Sequence, residues 1–449
     1  MLLGKLAESG AGAMTRLVWL DTRGAHAVYI VGKRRSGKTY TLGVLAEGLA
    51  SDSWVGQGEC DKQAVLLIDT LNVYGGMHYP AANVLAKDSP QVRELDRWKL
   101  PMEAPTVRYL VPSGTRPPDD AETLHLAIRP CDLASDDWAG VFGLDTFSDP
   151  MGQLIADCLE VVRDTGYDCL DGGFRKATGV FDVSDLICAL DSASRLQVYE
   201  HSTRGGLARR LRALDRLGVF SSTGTPISSI FQRGVVTVAL LGNLDVLVRA
   251  LVIGLFTKRI LETRQTADQL ERALLSLKGR LAHDQGMASK QREKSEQSVR
   301  DMETQLAGAL PRGWLLIDEA HNYIPQTGVL PSRPHLRRYV NEGRNMGLSI
   351  AMATQQPSGL DSSIRRNANV LLIHSMSMRD DIDATQAMLN TVAPDAVSST
   401  GSSTGSKRGF ERMVRSLDPG FVILSNDTVN RIFPIRIRPR LTLHGGLEY

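Results

Sequence analysis

Cysteine is scarce and scattered. Cys60, Cys131, Cys158, Cys169 and Cys188 are the 5 present in 449 residues, with no C-x-x-C pair and no Cys/His cluster. That pattern excludes a disulfide framework and a zinc site, and it makes reduced thiols in a cytoplasmic protein the default. An excess of one charge is missing too: 52 Lys and Arg stand against 50 Asp and Glu, a formal net charge of +2. No global field therefore announces nucleic acid, and any such surface has to be a local basic patch or one shared by a ring of subunits. Long apolar runs are also lacking. The most apolar stretch, Val235 to Phe256, is interrupted by Asn243, Asp245 and Arg249, so it reads as a buried strand followed by a helix and not as a membrane span. The N-terminus lacks the basic-then-apolar shape of a signal peptide, and there are no internal repeats. What remains is an ordinary globular composition, 42% hydrophobic and 23% charged, with chain enough for a large core and two or three domains.

One stretch organises the rest. Val28 to Val31 is a short apolar run rich in β-branched residues. It is followed by Gly32-x-x-x-x-Gly37-Lys38-Thr39 and then by apolar residues at helical spacing from Thr41 onward. Strand, glycine-rich loop and helix in that order make a phosphate-binding P-loop. Glycines let successive backbone N–H groups turn inward on a phosphate, and the helix N-terminus adds unpaired N–H groups and partial positive charge. The phosphate cradle is thus Gly32, Lys33, Arg34, Arg35, Ser36, Gly37, Lys38, Thr39 and Tyr40. Lys38 reaches for the β- and γ-phosphates of ATP, and the Thr39 hydroxyl is a ligand for Mg²⁺.

Further strands supply acids and amides at their C-terminal ends, where ligands sit in open α/β sheets. Ala64 to Asp69 is a buried strand ending in a carboxylate, and Asp69 reads either as a residue behind the Mg²⁺ and its waters or as a turn-forming Asp. Gly313-Trp-Leu-Leu-Ile ends in Asp318-Glu319. A carboxylate there holds Mg²⁺ and an adjacent one polarises the attacking water. The second acid argues for hydrolysis over mere binding, and the chain has no Asn-Lys-x-Asp guanine signature. His321 has no second His or Cys at metal spacing. Leu348 to Thr354 is a strand leading into Gln355-Gln356, amides that either sense the γ-phosphate or simply cap the strand.

The remaining chain is read more coarsely. Residues 1–27 make an edge strand or lid. Residues 75–225 form a mainly helical insertion in which Val107 opens another strand and Arg204, Arg209, Arg210, Arg212 and Arg216 crowd one segment, facing either nucleic acid or solvent. The polar, proline-free segment 265–304 reads as a protruding helix or helical hairpin, with possible breaks at Gly279 and Gly286. Ser398 to Gly409 reads as a Ser/Thr/Gly loop carrying Lys407-Arg408, and Arg436, Arg438 and Arg440 fall on one face at strand period. The ATPase core then comprises 28–74 and 226–449.

The ordered set GKRRSGKTYTLGVLAEGL, LLIDTLNVYG, WLLIDEAHNYIP, NEGRNMGLSIAMATQQPSGLD, the Arg379-Asp380 pair and RIRPRLTLHGG resembles the HerA-like ATPases of the HerA/FtsK superfamily, from Gly24 to Gly446. The resemblance implies an α/β RecA-like P-loop fold of the additional-strand, catalytic-glutamate type, with a central, mostly parallel sheet. It implies a homo-oligomer, a hexameric ring, moving double-stranded DNA with ATP and Mg²⁺ beside a nuclease or antiphage defence effector. Asp318 matches the metal position, Glu319 the water-activating one and Gln355 the strand-end sensor. Arg344 matches an arginine finger that reaches a neighbouring subunit's nucleotide. Only residues 1–27 precede the P-loop strand, where HerA-type proteins carry an N-terminal β-barrel. A second reading is a regulatory or scaffolding ATPase ring that controls a partner effector. A conjugation or packaging motor ranks third, because neither a membrane anchor nor a DNA-reading domain is recognisable.

Overall fold

The computed structural model describes residues 1–7, 16–56, 62–170, 172–283, 289–389, 403–426 and 431–445. Its strands are β1 (Leu2–Leu6), β2 (Leu17–Trp19), β3 (Ala27–Val31), β4 (Ala64–Asp69), β5 (Thr106–Val111), β6 (Glu122–His125), β7 (Tyr167–Asp168), β8 (Phe174–Arg175), β9 (Val235–Leu240), β10 (Gly313–Ile317), β11 (Leu348–Thr354), β12 (Val370–Ile373), β13 (Phe421–Asn426) and β14 (Arg431–Ile437). All but β7 and β8 join one 12-stranded sheet in the order β2-β1-β14-β13-β12-β3-β11-β10-β4-β9-β5-β6. From β12 to β6 neighbouring strands are parallel. From β12 back to β2 they are antiparallel. The protein is therefore the α/β fold with a large, mostly parallel sheet expected from the sequence. β11 lies between the P-loop strand β3 and the acidic strand β10, which is the additional strand of that expectation.

The central strands read as continuous apolar runs because both faces are covered. Alternate residues divide between two cores, as strand geometry requires. Val28, Ile30, Val65 and Leu67 pack with Leu42, Leu45 and Leu49 of the P-loop helix (Lys38–Ala50) on one face. Tyr29, Val31, Leu66 and Ile68 face the opposite core. That core includes Leu154, Leu186 and Leu211, from helices of the 75–225 stretch, and Val252 and Phe256 of the long helix Val246–His283. Within 75–225, β5 and β6 extend the sheet to its far edge. The N-terminal residues form β1 and β2 at the other edge, with Met1, Leu2 and Leu3 buried. No helix among the described residues is long and apolar enough to cross a membrane.

The polar segment is a helical hairpin. Val246–His283 runs far beyond its buried half, which ends at Ala267, and Ser289–Ala307 returns beside it with no buried residue. Lys278 and Glu303 pair across the two arms at 2.6 Å. Gly279 lies inside the first helix, and Gly286 lies outside the described residues.

Two readings of the C-terminal region are corrected. Of the loop proposed at 398–409, residues 398–402 lie outside the described ones, while Ser403–Arg415 is a helix. Phe410 and Val414, one helical turn apart, are buried in the core and anchor it. The arginines do not project from one strand face either. β14 ends at Ile437, and Arg438 and Arg440, on either side of Pro439, turn inward and are fully buried. Both reach Glu47 on the P-loop helix, at 2.9 Å from Arg438 and 3.1 Å from Arg440. Leu441 N–H, Thr442 N–H and the Thr442 hydroxyl donate to the same carboxylate. Burial works to raise the Glu47 pKa, but the two guanidiniums outweigh it and hold the group below its usual range. Arg436 stays on β14 and pairs with Glu94 at 2.9 Å.

Candidate active site

Side chains that bear chemistry gather at the C-terminal ends of the parallel strands β3, β4, β10, β11 and β12. The P-loop is a turn with two left-handed residues, Arg35 (φ 62°) and Gly37 (φ 102°). Gly37 has to be glycine for that reason. Gly32 has no room for a side chain, since a Cβ there would lie 2.6 Å from the His374 Cβ. Lys33, Arg34 and Arg35 are exposed at the rim, and Tyr40 is half-buried on the first turn of the helix. Lys38 is only 4% exposed, and its ammonium donates to the Lys33 carbonyl at 2.9 Å, folded over the loop. Burial lowers its pKa, while the nearby Glu319 and Asp318 carboxylates oppose that. A buried lysine folded onto its own loop beside two carboxylates is poised to exchange its carbonyl partner for a phosphate oxygen.

Thr39 and Asp318, 279 residues apart, meet here: the Thr39 hydroxyl donates to Asp318 Oδ2 at 2.8 Å. The other carboxylate oxygen of Asp318 accepts Glu319 N–H at 2.9 Å. Burial raises the Asp318 pKa, and the neighbouring Glu319 charge adds to it, so a cation beside it would relieve both. Glu319 has left-handed backbone (φ 51°), an uncommon conformation for a non-glycine residue that aims its side chain away from the strand axis. Its Oε1 accepts from the Gln355 side-chain amide, while its Oε2 is buried without a hydrogen-bond partner. A hydroxyl and a carboxylate in contact beside an unsatisfied buried oxygen suit a hydrated Mg²⁺. Among the described residues no group of three or more His, Cys, Asp and Glu could hold a metal alone, so phosphate oxygens would have to complete the set. A cavity of about 520 Å³ opens beside the loop, lined by Lys33, Arg34, Gln355, Met376, Arg379 and Asp380 among others.

Asp69 spends its carboxylate on the loop that follows it. It accepts N–H groups from Leu71 (3.1 Å), Val73 (3.2 Å) and Tyr74 (2.8 Å). Burial pushes its pKa up to about 6 against those hydrogen bonds. The loop it shapes delivers Tyr74, whose hydroxyl is 2.9 Å from the Thr39 carbonyl and 3.4 Å from Asp318 Oδ2. The Arg440 guanidinium lies 5.7 Å from the centre of the same ring. His321 sits under Glu319, 3.5 Å from its Oε2 and 3.1 Å from the Thr354 hydroxyl.

His374 was not singled out in the sequence, although it is the polar residue ending the apolar run Val370–Ile373, the same signal that marked Asp69 and Asp318. Its Nδ1 lies 2.7 Å from the Ser36 carbonyl oxygen, which can only accept, so Nδ1 carries the proton. Nε2 then accepts from the Thr41 hydroxyl at 3.1 Å. Burial takes its pKa down to about 3, so the ring is neutral. The imidazole thus ties the P-loop to the first turn of its helix from behind.

Arg344 is elsewhere. It is exposed on the turn Gly343–Met346 just before β11. β11 has 7 residues and Gln355 follows its far end, so at strand rise Arg344 lies roughly 20 Å from its own P-loop. Its charge is felt by His26, before β3, whose pKa burial already lowers. Of the arginines on the helix His201–Asp215 and its cap, Arg204 and Arg210 donate to backbone carbonyls and Arg212 lies 3.6 Å from Asp191.

No family profile and no curated protein sequence matches the chain. Solved structures do. VirB4 of Thermoanaerobacter pseudethanolicus is 13% identical, covering 97% of this chain and 96% of that one, with a TM-score of 0.52. At such identity the likeness is one of fold. Weaker likenesses are to the plasmid coupling protein TrwB in complex with GDPNP, a non-hydrolysable GTP analogue (11% identity, 94% and 88% covered, TM-score 0.48). Another is to the genome packaging NTPase B204 from Sulfolobus turreted icosahedral virus 2 with ATP-gammaS (12%, 47% and 71%, TM-score 0.24).

Proposed function

We propose that the chain is an ATP-hydrolysing motor of the HerA type, assembled as a hexameric ring, that moves on double-stranded DNA beside a nuclease or other effector protein. The observation that carries the hydrolytic part is the Thr39–Asp318 hydrogen bond at a P-loop mouth with Glu319 and Gln355 alongside. Thr39 and Asp318 would hold Mg²⁺, which neutralises phosphate charge when bound with ATP. Gly37, Lys38 and the helix N-terminus bind the phosphates. Glu319 takes a proton from the attacking water, and Gln355, already bonded to Glu319, orients it. Arg344, too far from its own loop, completes the site of a neighbouring subunit. The ordered motifs that resemble HerA-like ATPases support the ring and the DNA. The core at 28–74 and 226–449 is the motor in this reading, and 75–225 is an elaboration of it.

The test is ATP turnover by the full chain with and without duplex DNA at low salt, since phosphate contacts weaken steeply as salt rises. DNA-stimulated turnover, abolished by Lys38→Ala, is expected. Turnover indifferent to DNA, with no DNA binding at low salt, contradicts the DNA part. A stoichiometric partner that co-purifies under those conditions points instead to a ring that controls an effector.

A further inference from the structure

The long polar hairpin is not absorbed by the site just described, yet its root touches one functional element. Arg264, Asp268, Glu271 and Arg272 occupy one face of the long helix at the level where it leaves the body, at the i, i+4, i+7 and i+8 spacing that shares a face. Arg264 is 1% exposed. It donates to the Met346 carbonyl at 2.9 Å, to the Leu310 carbonyl at 3.3 Å and to Glu271 at 2.6 Å. Arg272 donates to the Asn345 carbonyl at 3.1 Å and is itself held by Asp268 at 2.7 Å. From the segment between the returning arm and β10, Arg312 pairs with the other oxygen of Glu271 at 2.8 Å. Arg312 also packs so closely over Gly347 that a Cβ there would be 2.8 Å from its Cδ. Met346 and Asn345 belong to the Gly343–Met346 turn, a short helix whose last carbonyls need partners from outside. The outgoing helix and the segment that leads from the returning one into β10 therefore close on the turn that presents Arg344.

We infer that Arg264 and Arg272 are positioning residues for Arg344, so that the root of the hairpin sets where that arginine meets the neighbouring subunit's nucleotide. The inference rests on the reading of Arg344 as acting across subunits. A buried guanidinium bonded to the Leu310 carbonyl and the Glu271 carboxylate is itself held in place, so its third bond fixes the Met346 carbonyl of the turn, which an ordinary surface ion pair does not do. Strain or load on the hairpin is then transmitted to the turn through these bonds and not through the sheet. The hairpin gains a place in the ATP cycle without touching ATP.

The experiment compares three full-length chains, wild type, Arg264→Lys/Arg272→Ala and Arg344→Ala, for ATP turnover and for binding of a fluorescent ATP analogue. The double variant should lose turnover by roughly ten- to a hundredfold, since misplacing a catalytic group by about 1 Å costs that much. Its analogue affinity should match wild type, because the P-loop is untouched, while its thermal unfolding falls because carbonyls buried against Arg264 lose a donor. Mixing it with Lys38→Ala chains, which supply a well-placed Arg344, should restore part of the turnover. Mixing it with Arg344→Ala chains should not. Wild-type turnover by the double variant while Arg344→Ala is inactive overturns the inference and leaves the Arg344 reading standing. Wild-type turnover by Arg344→Ala overturns that reading itself. A double variant that binds the analogue poorly contradicts a positioning role, and single Arg272→Ala, whose side chain is 68% exposed and whose unfolding should match wild type, loses turnover if the inference holds and keeps it if the inference fails.

Discussion

At the C-terminal ends of β3, β10 and β11 the reactive side chains are buried or half-buried and each is bonded: Lys38 to its own loop, Thr39 to Asp318, Gln355 to Glu319. At the N-terminal end of β11, Arg344 stands exposed on a turn clamped from outside by the hairpin root. The first region holds acids, a hydroxyl and one lysine in fixed geometry. The second holds a guanidinium about one strand length from that site. In the function proposed above, the first region binds and hydrolyses the nucleotide of its own chain and the second completes the site of a neighbouring copy. The contrast is then between a hydrolytic half built within one fold and an arginine that acts only in an assembly.

The largest effect expected at the buried end comes from Glu319→Gln. It keeps the size of the side chain but removes the base, so turnover should fall by about 10²–10⁴ while nucleotide binding persists. Steady-state turnover together with analogue titration checks this, and unchanged turnover would mean that the contrast has been drawn around the wrong acid.

Next comes the underside of the P-loop helix. Glu47→Gln leaves two fully buried guanidiniums without their carboxylate. Breaking a buried pair on one side costs about 3–5 kcal/mol, so urea unfolding should show a loss of that order. A loss near that of a surface pair, below about 1 kcal/mol, would contradict the described burial.

This cluster also marks the limit of what could be read from the sequence. The P-loop, the strand ending in Asp318-Glu319 and the strand before Gln355 were legible because each is a local pattern, an apolar run followed by polar residues at its end. The exposed arms of the hairpin were legible from their polarity. Glu47 and its arginines were not. Their partners lie 391 and 393 residues away, and the strand-period reading of Arg436, Arg438 and Arg440 failed because β14 stops at Ile437 and Pro439 follows. The one local clue was an acid within an otherwise apolar helix. Asp69 shows a different limit. Its position at a strand end fitted a metal role and a turn role alike, and only its three backbone hydrogen bonds assign the carboxylate to the loop.

The smallest effect concerns pH. His374 has a folded pKa of about 3, below its ordinary value of 6.5. Between those values the unfolded chain binds a proton that the folded one refuses, so stability rises with pH across that window and is lost as pH falls. His374→Asn removes the titration while keeping an N–H group for the Ser36 carbonyl. Urea unfolding at pH 5 to 6.5 should therefore show a slope shallower than wild type by up to about 1.4 kcal/mol per pH unit. Identical slopes would mean that the ring behind the loop is not held neutral.

In the proposed assembly the two ends of β11 serve different nucleotides. Arg344→Ala chains and Lys38→Ala chains, each inactive alone, are mixed under assembly conditions and ATP turnover is measured against mixing ratio. Partial recovery, greatest near equal amounts, is expected, because intact P-loops of one chain then face intact arginines of the other. Turnover that stays at the level of the separate variants at every ratio, with mixed assembly verified, would contradict it.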